Sequence, residues 1–198
     1  MEFIKFNKIP RLNRDIVITE KIDGTNAQIL IEHQSLLGGS IEELDKYVLC
    51  AKDDLCLFAG SRKRYLSIGE DNFGFAKWAK ENAEELMQLG PGLHFGEWWG
   101  QGIQRNYGLK EKRFSLFNVS KWEEDRPECC HVVPILYKGM FDTEIVQQVL
   151  CGLEMGSVAA PGFMKPEGII VFHTAGNNLF KVTCENDEVP KGMVQNGM

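Results

Sequence analysis

The chain has 198 residues and carries 22 lysines and arginines against 28 aspartates and glutamates, a formal net charge of −6. This length is close to that of one ordinary domain, roughly 150 residues, so a large second module is hard to fit. The acidic balance argues against a general basic coat for nucleic acid but leaves room for a local basic groove. A hydrophobic share of 43% and a charged share of 25% are typical of a folded globular protein and exclude a disordered or collagen-like chain.

Targeting and metal-binding patterns are absent from the sequence. The first residues lack the apolar core of a signal peptide, and no stretch approaches the ~18 uninterrupted apolar residues of a membrane span. We therefore expect a soluble, cytoplasmic protein with no membrane partner. The six cysteines have no paired C-x-x-C spacing, which predicts reduced structural thiols rather than a zinc site or a disulfide framework.

Short runs rich in β-branched and aromatic residues predict strands. These runs are Ile16 to Thr19, Ala27 to Ile31, Leu55 to Ala59, Phe114 to Val119, Val132 to Leu136, Gly168 to Phe172 and Leu179 to Val182. They do not alternate strictly with helices, which favours an α+β fold with mostly antiparallel sheets over a parallel sheet.

Two segments have helical spacing. The first, about Phe73 to Leu89, stops at Gly90-Pro91-Gly92, which cannot continue a helix. The second begins after Asp142, a candidate N-cap, and has its apolar residues on one face. Those residues are Val146, Val149, Leu150 and Leu153. We interpret Leu37 to Ser40 and the acidic stretch Glu42 to Asp45 as a loop.

The most informative segment is Thr19-Glu20-Lys21-Ile22-Asp23-Gly24-Thr25-Asn26, in which a lysine lies between two carboxylates and between two predicted strands. An unperturbed lysine amine titrates near about 10.4, so a nucleophilic lysine needs desolvation or nearby positive charge. The adjacent carboxylates act in the opposite direction. Spacing alone therefore favours a solvated turn lysine at this position.

Three later segments each place one ionisable residue beside an apolar run: Phe95-Gly96-Glu97, Glu167-Gly168-Ile169-Ile170-Val171 and Phe180-Lys181-Val182. Taken singly, each has an ordinary structural explanation. Glu97 and Glu167 are typical of turn carboxylates, and Lys181 is typical of a strand-edge lysine that discourages aggregation.

Taken in order, these segments resemble the ATP-dependent RNA ligase family, the branch of the covalent nucleotidyltransferase superfamily that includes phage-type end-sealing and editing ligases. The first motif of that superfamily, K-x-D-G, is Lys21-Ile22-Asp23-Gly24 here. The similarity runs from about Asp15 to Val182 and includes Ser61-Arg62-Lys63-Arg64, Arg113-Phe114-Ser115-Leu116-Phe117-Asn118-Val119 and Val133-Pro134-Ile135-Leu136-Tyr137-Lys138-Gly139. It implies one nucleotidyltransferase (ATP-grasp-like) domain over residues 1–198, an α+β structure of mostly antiparallel sheets flanked by helices, with a nucleotide cleft.

The resemblance implies a three-step reaction with ATP and Mg²⁺ or Mn²⁺. Lys21 would form a lysyl-AMP, the AMP would pass to an RNA 5′-phosphate, and a 3′-hydroxyl would displace AMP to seal the strand. Phosphoryl transfer requires mainly positioning and charge neutralisation. By the same resemblance, Glu167 would hold the metal or its water shell and the lysine, and Lys181 would neutralise the α-phosphate and keep the nucleophile deprotonated.

The resemblance also implies nucleotide contacts by residues outside the catalytic three. Glu20 lies where the family reads adenine through the backbone, and Ile22 belongs to the same nucleotide-binding stretch. Glu97 would bind the ribose hydroxyl, and Phe117 would stack on the adenine. Arg62 would contact the nucleotide phosphate or the RNA 5′-phosphate, since a planar guanidinium suits phosphate oxygens.

The polynucleotide end would be contacted by Asn26 together with Arg62. The expected partners are RNA ends with a 5′-phosphate and a 3′-hydroxyl, with a basic surface assembled from two clusters. The clusters are Arg62, Lys63 and Arg64, and Lys110, Lys112 and Arg113. An accessory RNA-binding partner is compatible with the sequence, and the oligomeric state and a phage, viral or cellular origin stay open.

Three departures from the family pattern bear on the later steps. Thr183 stands where the last motif usually has a second lysine, and Asn118 stands where aspartate is commoner. Only 16 residues follow Val182, so we expect no separate C-terminal domain.

Other functions also stay open. DNA ligation, GTP-dependent capping and a non-catalytic nucleic-acid-binding domain that keeps the nucleotide pocket are alternatives. A P-loop NTPase is disfavoured because no GxxxxGK[ST] occurs.

Overall fold

The computed structural model describes residues 2–37, 44–185 and 187, and the chain divides into two compact units. One, the terminal unit, comprises Met1–Ile22 and Pro134–Met198. The other, the central unit, comprises Asp23–Val133. A single domain over residues 1–198 stays a prediction. The loop predicted at Leu37 to Ser40 and Glu42 to Asp45 lies largely outside the described residues.

The regular elements follow one another in chain order. The strands are β1 Asp15–Lys21, β2 Thr25–His33, β3 Val48–Lys52, β4 Leu55–Ser61, β5 Tyr65–Leu66, β6 Gly92–Gly100, β7 Lys112–Leu116, β8 Cys130–Val132, β9 Ile135–Met140, β10 Gly168–His173 and β11 Asn178–Thr183. The α-helices are α1 Phe75–Glu81, α2 Ala83–Leu86, α3 Val119–Trp122 and α4 Thr143–Glu154, with 3₁₀ turns at Gln34–Leu36 and Met87–Leu89. None of the helices in the described part of the chain combines the length and the apolar character that crossing a membrane requires.

The terminal unit is built on an antiparallel sheet with strand order β11-β10-β1-β9. Alternate residues of β1 and β10 point to one face, where Ile16, Ile18 and Ile169 are fully buried. The apolar face of α4 packs on them, with Val146, Val149, Leu150 and Leu153 in the same cluster. This helix begins as predicted, because the Asp142 side chain accepts the Glu144 amide at 2.7 Å.

The central unit contains a second sheet with order β3-β4-β2-β6-β7-β8, in which only the β7–β8 pair is parallel among the pairs described, and β5 pairs with β4. Its core face is covered by α1, α2 and the second 3₁₀ turn. The buried ring of Phe75 lies 5.4 Å from that of Trp98 and 5.1 Å from that of Phe114. The mixed α+β class with mostly antiparallel sheets is therefore confirmed.

The first predicted helix, Phe73 to Leu89, is wrong as one continuous element. It divides into α1, α2 and a 3₁₀ turn, because Asn82 leaves helical geometry at φ −107° while its side-chain amide binds the Trp78 carbonyl at 2.8 Å. The predicted stop is confirmed, since Gly90 takes φ +75° directly after the 3₁₀ turn.

Two of the predicted strands need correction at their bounds, and three were missed. The run Phe114 to Val119 ends as a strand at Leu116, because Asn118 caps α3 by accepting the Lys121 amide. The run Val132 to Leu136 spans two strands in different sheets, β8 and β9. Strands β3, β5 and β6 lie outside the predicted runs. Strand β5 has only two residues, and β6 contains three glycines and a glutamate, which weaken the strand signal.

Candidate active site

The terminal unit brings Lys21 and Glu167 together at the ends of adjacent strands. Lys21 is the last residue of β1 and pairs with Gly168, the first residue of β10, so Glu167 directly precedes the paired position. Lys21 Nζ lies 2.5 Å from Glu167 Oε2, and the two side chains are 20% and 6% exposed. A Cβ at Gly168 would meet the Val182 carbonyl and the Thr183 Cα, so glycine allows the close approach of β11 to this end of β10.

Lys181 lies on the same face of this sheet as Lys21. Thr19 pairs with Ile170, which pairs with Lys181, and two residues along, Lys21 pairs with Gly168, which pairs with Thr183. Residues that face each other across strands share a face, and so do residues two apart along a strand. Lys181 is exposed, and it lies two residues before Thr183, the β11 residue in the same cross-strand row as Lys21.

Thr183, where the family usually has a second lysine, ends β11 with its polar groups bound locally. Its hydroxyl donates to the Glu185 carbonyl at 2.9 Å, and its amide donates to Asp187 Oδ1 at 2.8 Å. The residue therefore closes a turn and contributes no positive charge to the sheet face that carries Lys21.

The Glu20 side chain points to the opposite face and is 1% exposed. Its carboxylate accepts hydrogen bonds from Ser157 Oγ at 2.6 Å and from the amides of Val158 and Ala159 at 2.8 Å each. This carboxylate satisfies the donors of a loop, which is a structural task. Ile22, the other neighbour of the nucleophile candidate, is 5% exposed.

In the central unit, three contacts hold the Asp23-Gly24 part of the K-x-D-G motif. The Asp23 amide donates to the Tyr107 hydroxyl at 2.8 Å, and Arg105 Nε donates to Asp23 Oδ2 at 3.0 Å. The Gly24 amide donates to Glu97 Oε1 at 3.0 Å. A Cβ at Gly24 would lie 2.5 Å from the Trp98 carbonyl, which explains why the motif requires glycine here.

The face of the central sheet opposite its core carries Asn26 and Glu97, with Phe117 beside it. Asn26 pairs with Glu97, so their side chains share this face. Phe95 lies on the same face two residues from Glu97, and its carbonyl accepts the Phe117 amide at 3.0 Å. Phe95 and Phe117 are 47% and 40% exposed, so two aromatic rings lie uncovered beside a carboxylate.

Arg62 lies in the turn that joins β4 to β5, where the Ser61 amide donates to the Arg64 carbonyl at 2.8 Å. Arg62 and Lys63 are exposed. Arg64, by contrast, donates to the Glu70 carbonyl at 2.7 Å and holds the following loop. The first predicted basic cluster therefore presents two exposed cations and uses the third structurally.

Sequence reasoning missed Arg105 and Tyr107. They lie in the loop Gln101 to Glu111, where Gln104, Asn106 and Tyr107 all have positive φ. Such backbone strain persists only where surrounding contacts determine it, and it is commoner at functional sites. Gly100 before this loop and Gly102 and Gly108 within it are the signal in the sequence that could have drawn attention to it.

The donor set fits a divalent metal held mainly by a substrate. The described residues contain no group of three or more His, Cys, Asp or Glu side chains placed to hold a metal ion. Mg²⁺ keeps several waters and is usually bound through one or two carboxylates plus substrate phosphates. Glu167 supplies such a carboxylate in contact with Lys21.

Comparison with solved structures shows the same fold in an RNA ligase of Naegleria gruberi. A variant of that ligase with ATP and Mn is 20% identical, with a TM-score of 0.56, over 86% of this chain and 50% of that one. The same ligase with pyrophosphate is 22% identical, with a TM-score of 0.55 over the same shares. The chain thus spans about half the length of these ligases.

The sequence comparisons differ in what they found. No curated protein matched the chain. A family model described as RNA ligase matches residues 14–183, which include β1 to β11 and all the predicted site residues. The chain therefore belongs to the RNA ligase family.

Proposed function

We propose that the protein is an ATP-dependent RNA ligase that uses Lys21 as its nucleophile. The observation that carries this proposal is the contact between Lys21 Nζ and Glu167 Oε2, which joins the lysine of K-x-D-G to a carboxylate 146 positions away in the chain. Family membership supports the reaction class. Naegleria ligases of the same fold, solved with ATP and Mn or with pyrophosphate, support the nucleotide substrate.

In the first step, the Lys21 amine attacks the α-phosphorus of ATP. A nitrogen–phosphorus bond forms, the bond from the α-phosphorus to the bridging oxygen breaks, and pyrophosphate leaves. The amine must lose a proton to react, and Glu167 Oε2 lies at hydrogen-bond distance to accept it. Lys181, on the same sheet face, would neutralise charge on the α-phosphate.

Other residues would hold the nucleotide. The exposed ring of Phe117 would stack on the adenine, and Glu97 would accept a hydrogen bond from the ribose hydroxyl while its Oε1 holds the Gly24 amide. The Glu20 and Ile22 contributions would come from the backbone, since the Glu20 carboxylate already binds a loop. A divalent metal bound through Glu167 would neutralise negative charge on the phosphate oxygens.

In the later steps, AMP passes to an RNA 5′-phosphate, and a 3′-hydroxyl then displaces it as the strand is sealed. Asn26 and Arg62 would contact the RNA end. We place this reaction in the cytoplasm. An accessory RNA-binding partner would assist the sealing step.

The deciding experiment is incubation with α-labelled ATP or GTP and a divalent metal, followed by a denaturing gel and mapping of the labelled residue. We expect acid-labile AMP on Lys21 and no label in Lys21→Ala or Lys21→Arg, because a guanidinium is not a usable nucleophile. Lys52→Ala, an exposed lysine on β3, is the matched control and should label like the parent. Label from GTP alone would indicate capping chemistry, and parent-level label in Lys21→Ala would refute the proposal.

The acceptor is tested separately from the first step. Pre-adenylylated RNA and DNA with a nearby 3′-hydroxyl report sealing without adenylylation. We expect Asn26→Ala to keep label transfer from ATP and to lose AMP transfer to the RNA end. Equal loss at both stages would contradict the role assigned to Asn26, and a preference for DNA ends would indicate DNA ligation.

A further inference from the structure

The segment before β1 exposes both apolar and basic side chains. Residues 2–14 form no helix or strand. Phe3, Ile4, Phe6 and Ile9 are 76–90% exposed, far above what a folded chain usually leaves to water for such large side chains. The end of the segment is anchored, because the Leu12 carbonyl binds His173 Nε2 at 2.7 Å.

The two kinds of side chain follow a period of three residues. Apolar residues occupy positions 3, 6, 9 and 12, and basic residues occupy positions 5, 8, 11 and 14, while Ile4 lies outside both sets. A polyproline II helix has three residues per turn, so it would align each set in its own row. A strand has a period of two residues, so it would place apolar and basic side chains on the same face. An α-helix has a period of 3.6 residues, so it would spread each set around its surface, and Pro10 would interrupt its hydrogen bonds.

The segment differs in charge from the rest of the protein. Residues 2–14 hold four cations and one anion, a net charge of +3, whereas the rest of the chain carries −9. Lys5, Lys8 and Arg11 form no ion pair with any acidic residue among those the structure describes. The other basic clusters are partly engaged: Lys112 Nζ binds the Phe73 carbonyl and Arg113 pairs with Glu111.

We propose that this segment is a single-stranded RNA grip, with the basic row on phosphates and the apolar row, through Phe3 and Phe6, on bases. Polyanion binding explains the row of unpaired cations, and base stacking explains why apolar side chains stay exposed beside them. A lipid surface offers no comparable reason for the three-residue period, and the row of four cations favours a polyanion over a protein groove that binds polyproline II segments. The inference rests on the proposed RNA ligase function, whose substrate it would hold.

The geometry also predicts how long the RNA must be. The segment joins β1 at Asp15, and Lys21 lies at the other end of this strand, about 20 Å away at roughly 3.4 Å per residue. A stacked strand rises about 3.4 Å per nucleotide, so the point where the grip joins β1 would lie about six nucleotides from the reacting end. A 20-nucleotide RNA should therefore reach the segment, and a tetranucleotide should not.

The test is fluorescence anisotropy with a single-stranded 20-mer and a 4-mer over a salt series. The variant is the full chain with Lys5→Gln, Lys8→Gln and Arg11→Gln, and its control is Lys52→Gln, Lys77→Gln and Lys80→Gln, which removes equal charge from exposed lysines elsewhere. Each lost phosphate contact lowers the salt slope by about 0.7, so we expect a slope change of about 2 and about 100-fold weaker 20-mer binding at 0.1 M salt. The control should change binding far less, and the 4-mer should not distinguish the two.

Two further measurements test the base stacking and the protease accessibility of the segment separately from its charge. Phe3→Ala with Phe6→Ala should weaken 20-mer binding at least about fivefold, equivalent to about 1 kcal/mol, and leave the salt slope unchanged. Trypsin should cut the free protein after Lys5 and Lys8, and the 20-mer should protect both sites.

Several results would overturn the grip. They are equal losses in the control, an unchanged salt slope, a 4-mer affected like the 20-mer, or trypsin cleavage unaffected by RNA. Tighter binding of the segment to anionic vesicles than to RNA would assign it to a membrane surface instead. Label transfer from ATP to Lys21 is measured on the same variants and should be unchanged. If the parent protein shows no label transfer, the ligase proposal is refuted, and the comparison of RNA binding between variant and control stays valid.

Discussion

Removing one hydroxyl group tests whether the loop Gln101 to Glu111 positions the K-x-D-G motif. Tyr107 is 2% exposed, and its hydroxyl accepts the Asp23 amide at 2.8 Å. Tyr107→Phe deletes this acceptor while keeping the ring, which packs edge-to-face on Trp99 with centroids 5.0 Å apart. The backbone strain at φ +52° is the same in both proteins, so it cancels from the comparison.

The expected magnitude follows from the amide that loses its acceptor. An unsatisfied, part-buried donor costs about 1–3 kcal/mol, so the free energy of unfolding should fall by that amount. For a chain of this size that is roughly 2–12 °C in the unfolding midpoint. Since Asp23 lies two residues from the proposed nucleophile, a loosened turn should also slow adenylylation, and a misplacement of about 1 Å can cost up to about 100-fold.

The assay combines urea unfolding with initial rates of label transfer over a range of ATP concentrations. We expect kcat to fall much further than the decrease in the folded fraction would cause. The change in KM should be smaller, because the hydroxyl binds the motif rather than the nucleotide. Tyr47→Phe is the matched control, since its hydroxyl makes no hydrogen bond within the described ranges. Lost stability with an unchanged kcat would show that Tyr107 is structural only, and no change in either would refute the reasoning.

Three other predictions concern stability. Glu20→Ala leaves the Val158 and Ala159 amides without their acceptor, so the free energy of unfolding measured in urea should fall by at least about 3 kcal/mol. A loss under about 1 kcal/mol would contradict the structural role of this carboxylate. Gly168→Ala places a methyl group against the Val182 carbonyl, so β11 should separate from β10, lowering both the melting temperature and label transfer; wild-type values for both would be inconsistent with the close approach. Burial lowers the pKa of His94, so the unfolded state binds more protons and stability should fall as pH drops below about 6.5, by at most about 1.4 kcal/mol per pH unit. His94→Gln should flatten this dependence between pH 7 and 5, and an unchanged slope would assign it to other groups.

Sequence patterns predicted the structure correctly where contacts between residues close in the chain determine it. The Asp142 cap and the helix stop at Gly90 depend on neighbouring residues alone, and both predictions are confirmed. The division of Val132 to Leu136 between two sheets depends on where each strand finds a partner. The Pro134 carbonyl accepts the Glu20 amide, a contact between residues more than a hundred positions apart that no local pattern reports.

The candidate site shows the same division. The nucleophile candidate and its carboxylate were identified by resemblance, and the structure brings Lys21 and Glu167 into contact. Tyr107 and Arg105 were missed because their contacts with Asp23 join residues 84 and 82 positions apart. A sequence shows that a glycine-containing loop is present, but only the folded chain shows which amide that loop reaches.

The charges around Lys21 illustrate why neighbours in sequence are poor guides to neighbours in space. Spacing suggested that Glu20 and Asp23 both act on the lysine amine. In the fold, alternation along β1 turns the Glu20 carboxylate to the opposite face, where it binds a serine hydroxyl and two amides, and Arg105 binds the Asp23 carboxylate. Both flanking carboxylates are thus bound by other donors, and the carboxylate that contacts Lys21 Nζ is that of Glu167. The carboxylate in contact with the lysine of K-x-D-G therefore comes from a residue 146 positions away and not from the neighbours of the lysine in the sequence.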